Sequence, residues 1–271
     1  MSGISDVRKT FQELHRSGYF VLPNPFDIGT AKYLQHLGFK AIATTSAGFA
    51  FSRGLADGAV GRDLMLAHIR EMVEATDLPV NADFENGYAD DPDGVAENVR
   101  RCVETGVAGL SIEDNSGRGD KPLYEMGLAA ERIRAAKAAI ADSGVLLTGR
   151  AECFLVGQDD INEVIRRLTA YAEAGADCLY APGIHERDHI AAVVKAVAPK
   201  PVNLLISRPC GLTIGDAAEL GVRRVSVGSA LARAAWGGFI RAAKDLAEGG
   251  TFDGFAGATP HGELQELFKN R

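Results

Sequence analysis

The chain has 271 residues, 46% of them apolar and 24% charged, and a formal net charge of −7. These proportions exclude a disordered, collagenous or coiled-coil chain. The acidic balance argues against nucleic acid or an anionic membrane surface as partner, since both demand clustered positive charge, but it leaves room for a small anionic substrate at a locally cationic site.

The predicted elements alternate from end to end. Ile4, Val7, Phe11 and Leu14 recur at helical spacing, Gly18 follows as a stop, and Tyr19–Leu22 forms a short apolar strand. Helix Thr30–Leu37 ends at Gly38 before the strand Lys40–Thr45. Leu64, Ile69, Met72 and Val73 line a helix ahead of Pro79–Asp83. Val95, Val99, Cys102 and Val103 line the next, with Gly106 as its stop and Ala108–Glu113 as strand. Ile133 and Ile140 mark a helix leading past Gly144 to Val145–Arg150. Ile161, Val164, Ile165 and Leu168 lead past Gly175 to Ala176–Ala181. Ile190, Val193, Val194 and Val197 precede Pro201–Ile206, and a short helix before Gly221 precedes Arg223–Val227.

Eight short apolar strands between amphipathic helices imply a parallel sheet covered by helices. The length and unit count predict an α/β fold, a closed (β/α)8 TIM-type barrel. No G-x-G-x-x-G follows an early strand, which removes the dinucleotide-binding alternative. Residues 1–271 read as a single domain, with 231–271 as a C-terminal helical appendage. In that appendage Leu231, Trp236, Phe239, Ile240, Ala243 and Leu246 form an apolar stripe longer than one barrel helix needs, so we expect it to lie in an interface of a homo-oligomer.

The N-terminal ten residues lack the apolar core of a signal peptide, and no stretch approaches the ~20 apolar residues of a spanning helix. The expectation is a cytoplasmic chain that engages no membrane. Cys102, Cys153, Cys178 and Cys210 show neither C-x-x-C spacing nor partner histidines, and read as free thiols.

In a barrel of this type, chemistry sits at the C-terminal ends of the strands. Asn24 and Asp27 follow the first strand there, and Ser46, Ala47 and Gly48 the second, with Asp57 in the connection beyond. The third strand ends in Asp83-Phe84-Glu85, the fourth in Glu113-Asp114 and the fifth in Arg150-Ala151-Glu152. Asn203 lies at the start of the seventh. Asp83, Glu85, Glu113 and Asp57 thus converge on one mouth. Crowded carboxylates repel, and a hard divalent cation relieves them, so we expect Mg²⁺, with Mn²⁺ as substitute. Arg150 offers a cationic fork for a substrate carboxylate. Ser46-Ala47-Gly48 reads as a tight turn whose amides could approach a ligand.

These residues resemble the isocitrate lyase/phosphoenolpyruvate mutase superfamily. The resemblance is carried by Leu22-Pro23-Asn24-Pro25-Phe26-Asp27, Thr44-Thr45-Ser46-Ala47-Gly48, Asn81-Ala82-Asp83-Phe84-Glu85-Asn86-Gly87-Tyr88, Gly109-Leu110-Ser111-Ile112-Glu113-Asp114 and Glu173-Ala174-Gly175-Ala176-Asp177. It implies a barrel whose last helix is exchanged between subunits of a dimer or tetramer. It also implies Mg²⁺ and an enolate formed from a 2-oxo or 2-hydroxy acid. Asp83 would bind the metal directly, and Asp57, Glu85 and Glu113 would hold its waters. Ser46, Ala47, Gly48, Arg150 and Asn203 would bind substrate.

The loop Asn115–Tyr124 departs from the pattern. It carries neither the Lys-Lys-Cys-Gly-His gate of the isocitrate and methylisocitrate lyases nor the Lys-x-Asn-Ser pattern of the mutases. Its glycines and mixed charges predict a mobile loop, and Lys121 is the loop cation expected to reach the site. The resulting expectation is a Mg²⁺-dependent carbon–carbon lyase or decarboxylase acting on a small 2-oxo- or 2-hydroxy-dicarboxylate. The alternatives are a phosphonopyruvate-type P–C bond enzyme, or a 2-oxo-acid-binding barrel with little catalysis.

Overall fold

A computed structural model describes residues 3–269; Met1, Ser2, Asn270 and Arg271, the extremes of the 1–271 reading, lie outside the described residues. Eight parallel strands form the sheet: β1 Phe20–Leu22, β2 Ile42–Ala43, β3 Val80–Asp83, β4 Gly109–Glu113, β5 Leu146–Arg150, β6 Cys178–Tyr180, β7 Val202–Leu205 and β8 Arg224–Ser226. Their order, β1-β8-β7-β6-β5-β4-β3-β2, runs once around a barrel and leaves a single seam between β1 and β2. Two bonds close that seam: Ala43 N–H donates to Pro23 O at 3.0 Å, and Asn24 Nδ2 donates to Thr44 O at 2.9 Å. The Asn24 carbonyl oxygen also accepts from the amides of Val227 and Gly228. Asn24, placed by sequence at the mouth, is therefore a closure residue. Asp27 caps the helix Ile28–His36, accepting from Thr30 N–H at 2.7 Å.

The helices form for ordinary reasons. Pro92–Val103 begins with Asp91 as cap and Pro92 in its first turn, and Ile161–Glu173 is capped by Asp160. Each buries one stripe, Val95, Val99 and Cys102 in the first and Val164, Leu168 and Tyr171 in the second, against the outer faces of the strands. The N-terminal helix Ile4–Leu14 packs Phe11 with Phe20, Leu22, Ala43 and Ala108. Gly109 permits this approach, since a Cβ there would lie 2.6 Å from the Phe11 ring.

Three elements differ from the sequence expectation. Ser46-Ala47-Gly48 is not a free turn but the start of a helix, Ser46–Ser52, capped by Thr45 Oγ1, which accepts from Gly48 N–H at 3.2 Å. Its small and β-indifferent residues carry little helical signal, and the cap supplies what propensity does not. The second strand is confined to two residues rather than Lys40–Thr45. The 115–124 loop is a small hairpin, bridged at Asn115 and Leu123 and held by Ser116 N–H to Pro122 O (2.8 Å) and Tyr124 N–H to Asp114 O (2.9 Å).

After β8 the chain continues through the helix Ala230–Lys244, of which Ala232 is the one buried residue. Leu231, Trp236, Phe239 and Ile240 are exposed on it, as is Leu246 beyond, so the apolar stripe does not pack on the chain's own barrel. Among the described residues no helix is long and apolar enough to cross a membrane.

One buried strut ties the scaffold to the mouth. Asp114 accepts from Glu152 N–H (2.8 Å), Arg167 Nη1 (3.0 Å) and the Tyr171 hydroxyl (2.6 Å). A buried pair of this kind costs about 3–5 kcal/mol when one partner is removed, so these bonds tie the end of β4 and the chain after β5 to the helix Ile161–Glu173.

Two buried imidazoles make stability pH-dependent. Burial first, then the Arg224 charge, pushes His15 down to about 3, and burial pushes His68, stacked on Phe49 at 3.8 Å, down to about 4. An unfolded histidine titrates at about 6.5. As pH falls below that value the unfolded chain takes up protons that the folded chain refuses, so stability is lost on the acid side. Other groups titrate alike in the parent and in His68→Phe, so their difference isolates this ring. Urea unfolding should show His68→Phe gaining about 2 kcal/mol on the parent between pH 7.5 and pH 5. A pH-independent difference would contradict a neutral buried His68.

Candidate active site

The register brings the mouth together. β4 pairs with β5 so that Glu113 lies beside Arg150, and β3 pairs with β4 so that Asp83 lies beside Ser111. Arg150 is held from three sides: Nη1 donates to Asp83 at 2.7 Å, Nη2 faces Glu113 at 3.1 Å and Glu152 at 2.9 Å, and Nε donates to Glu152 at 3.0 Å. Its guanidinium also lies 4.9 Å from the centre of the Tyr180 ring. The other Asp83 oxygen accepts from Ser46 N–H (2.9 Å) and Ser46 Oγ (3.0 Å), and the same hydroxyl lies 3.3 Å from Asp57.

Glu85 reaches the mouth through an unusual backbone. Its φ is +47°, in the left-handed region, a conformation costing a non-glycine residue about 1 kcal/mol or more. The strain is held by Glu113 N–H donating to Glu85 O (3.0 Å) and by buried Arg132, whose guanidinium donates to the carbonyls of Asn86, Ala89 and Asp90. The Glu85 carboxylate accepts from the Tyr88 hydroxyl at 2.8 Å.

Five carboxylates (Asp57, Asp83, Glu85, Glu113 and Glu152) therefore surround one guanidinium. Burial pushes Glu85 up to about 7, against the lowering effect of the Tyr88 hydroxyl. Burial likewise raises Glu113 well above the carboxylate range, and Glu152 rises for the same reason. Burial acts to lower Arg150, but Glu113, Glu152 and Asp83 outweigh it and hold the guanidinium well above its ordinary value. Fully ionised, five carboxylates would outnumber one guanidinium; burial disfavours that state, and a bound cation would favour it. Among the described residues no three His, Cys, Asp or Glu side chains converge closely enough to ligate one ion directly. The donors are all hard oxygens, and such a set fits a hydrated hard dication taken up by one carboxylate directly and by others through water.

Two connected cavities occupy this region. The outer, about 950 Å³, is lined by Ser46, Asp57, Glu85, Glu113, Arg150 and Glu152 among others. The inner, about 120 Å³, descends into the barrel between Ser46, Ala47, Asp83, Arg150, Asn203 and Arg224. Ser46, Asp57 and Arg150 line both. The structure thus brings Asp57, Asp83, Glu85, Glu113, Arg150, Ser46, Ala47 and Asn203 to one place. Gly48 is adjacent, but its amide is spent on Thr45, and a Cβ there would lie 2.5 Å from Thr45 Cγ2. Lys121 is not brought in: it is exposed on the hairpin and lines neither cavity.

Sequence reasoning left out Glu152, Tyr88, Arg132 and Arg224. Glu152 was visible two residues after Arg150, on the same strand end. Arg132 stands three residues after Ala129 and four before Ala136 on the buried face of Met126–Ala139, a position where a charge demands an explanation. Tyr88 and Arg224 carry no sequence signal beyond their place near a strand end.

The phosphoenolpyruvate phosphomutase family profile matches residues 11–247. An uncharacterised protein of Mycobacterium tuberculosis is 34% identical over 261 residues, covering 94% of this chain and 95% of that protein. An oxaloacetate decarboxylase of Paraburkholderia xenovorans is 30% identical over 247 residues, covering 82% and 75%. Among solved structures, a putative lyase/mutase from Burkholderia cenocepacia superposes with a TM-score of 0.95 at 47% identity, covering 98% and 97%. A phosphonopyruvate hydrolase complexed with oxalate and Mg²⁺ superposes with a TM-score of 0.84 at 25% identity, covering 98% and 95%. The chain belongs to the phosphoenolpyruvate phosphomutase family.

Proposed function

We propose that the chain is a Mg²⁺-dependent carbon–carbon lyase or decarboxylase acting on a small 2-oxo- or 2-hydroxy-dicarboxylate through an enolate. The observation that carries this reading is Arg150 clamped by Asp83, Glu113 and Glu152 above a small polar cavity. The P. xenovorans decarboxylase supports the reaction class, and the oxalate and Mg²⁺ of the hydrolase complex support the ligand and metal class.

Asp83 would hold the ion directly, with Asp57, Glu85 and Glu113 holding its waters. When bound, the ion supplies Lewis-acid polarisation of the 2-oxo carbonyl. The protein's own groups do the rest. Arg150 holds positive charge beside the oxygens that become negative as an electron pair from C3 collapses into the enolate. Ser46 and Ala47 border the inner cavity and position the carboxylate, with Asn203 on the opposite wall. Gly48 serves by its missing Cβ, which lets the helix start pack close to the mouth. The narrow inner cavity limits water around the enolate.

The first test is the metal. Activity should vanish in excess chelator and return with Mg²⁺ or Mn²⁺, and Asp83→Ala should abolish turnover while leaving the circular-dichroism spectrum unchanged. A panel of 2-oxo and 2-hydroxy di- and tricarboxylates finds the substrate. Turnover of phosphonopyruvate alone would move the assignment to P–C chemistry, and full activity in chelator would overturn the metal.

Lys121 is proposed as a cation carried over the outer cavity when the hairpin tip moves. Lys121→Ala should then lower kcat and kcat/KM together; parent-like kinetics would remove this role.

The uncovered stripe of Trp236, Phe239 and Ile240, with Phe252 and Phe255 exposed beyond it, supports a homo-oligomer, dimer or tetramer, that buries the C-terminal helices of residues 231–269 between subunits. Sedimentation at micromolar concentration should show an oligomer. A monomer would refute this assembly.

A further inference from the structure

The barrel interior holds a second guanidinium that the reading above does not use. Arg224, on β8, is 2% exposed. Nε donates to Asn203 Oδ1 at 2.7 Å, Nη2 donates to Thr148 Oγ1 at 3.0 Å, and Nη1 lies 3.2 Å from His15 Nε2. All three partners are neutral. His15 is a neutral acceptor here, because its Nδ1 lies 2.8 Å from Phe11 O and donates to that carbonyl. Among the described residues Arg224 forms no ion pair within 4.0 Å, whereas Arg150 forms three.

A buried cation among neutral acceptors costs stability, since hydrogen bonds restore only part of the lost hydration. Arg224 lines the inner cavity, and so does Asn203. The guanidinium also decides how Asn203 stands. Because Oδ1 accepts from Arg224, the amide nitrogen must face the other way, where it donates to Ser226 Oγ at 2.9 Å. One Nδ2 hydrogen remains, on the residue that walls the cavity opposite Ala47. Arg150, by contrast, meets the cavity already paired with Asp83, Glu113 and Glu152.

We propose that Arg224 is a positioning residue for substrate: it fixes the Asn203 amide as a donor and supplies the uncompensated positive charge that draws the 2-oxo acid's carboxylate to the β7–β8 side of the inner cavity. This rests on the 2-oxo-acid reading above and adds the direction in which the acid lies. The carboxylate bordered by Ser46 and Ala47 would then have the Arg224 charge and the remaining Asn203 N–H on its β7–β8 side.

The experiment measures oxalate affinity by calorimetry on the Mg²⁺-loaded protein, with thermal unfolding alongside. Arg224→Met should weaken oxalate at least tenfold and raise KM for the panel substrate more than it lowers kcat, while Tm stays level or rises. Arg224→Lys should recover part of the affinity through its charge. Thr148→Val, which removes one neutral partner only, should bind oxalate within twofold of the parent. Should Arg224→Met not fold, Asn203→Asp reads the same question from the other end: a carboxylate beside Arg224 cancels its charge, so Tm rises and oxalate affinity falls. Parent-like oxalate affinity in Arg224→Met, or in Asn203→Asp, overturns the role of Arg224 alone. A parent that does not bind oxalate overturns the 2-oxo-acid reading and this inference with it.

Discussion

Arg150 is gripped by carboxylates from the ends of two strands and from the segment just beyond its own, and the arrangement of the mouth follows from that grip. A guanidinium presents its donors in a fixed plane, so Asp83, Glu113 and Glu152 must each take up a defined direction around it. That fixes one oxygen of Asp83 on the Arg150 side and turns the other toward Ser46. Removing Arg150 would leave buried Glu152 and half-buried Asp83 and Glu113 facing one another without compensation, a loss of organisation as well as of charge. Fully ionised, the cluster would carry more negative than positive charge even with Arg150 in place. A hard cation would answer that surplus, which is the argument for the metal in the proposed function.

The scaffold around the mouth spends its buried polar residues on holding these acids in place. Asp114, beside Glu113 in sequence, takes no part in the cavity; it is locked by Arg167, Tyr171 and the Glu152 amide. Glu113 and Glu152 therefore hang from the same buried strut. Arg132 does the same for the segment after β3, holding the carbonyls of Asn86, Ala89 and Asp90 so that Glu85 keeps its left-handed backbone. Without such anchors a strained residue would relax toward an ordinary conformation and carry its carboxylate away.

Much of this was legible in the sequence because barrel units obey strong rules. Short apolar strands between amphipathic helices specify the parallel barrel, and its strand ends specify where to look, which placed Asp83, Glu113 and Arg150 together before any coordinates. What failed was local and has physical causes. Ser46-Ala47-Gly48 lacks the spacing of an amphipathic helix, so its helical start depends on the Thr45 cap, a single hydrogen bond that pattern reading passes over. The 115–124 segment has turn-forming composition, yet Ser116 and Tyr124 bond back across it and make a hairpin. Lys121 is the cation the loop offers, and a sequence does not report that in this structure its side chain stands outside the cavity. Arg224 was invisible for the opposite reason: an arginine inside a strand of apolar residues reads as a surface charge until its neighbours are known.

The two guanidiniums divide the site in a way that net charge conceals. Arg150 sits at the junction of the outer and inner cavities and is saturated by acids. Arg224 sits at the inner end and is met only by neutral oxygen and nitrogen acceptors. On the proposed reading, a small dianion would pass an acidic rim before reaching a floor that carries the Arg224 charge. A cation at the rim would then ease its entry, and metal and substrate binding would be coupled. If Arg224 serves substrate as proposed, the interior cation would cost the barrel stability that a bound anion restores, the trade expected where a fold gives up stability to organise a binding site in advance.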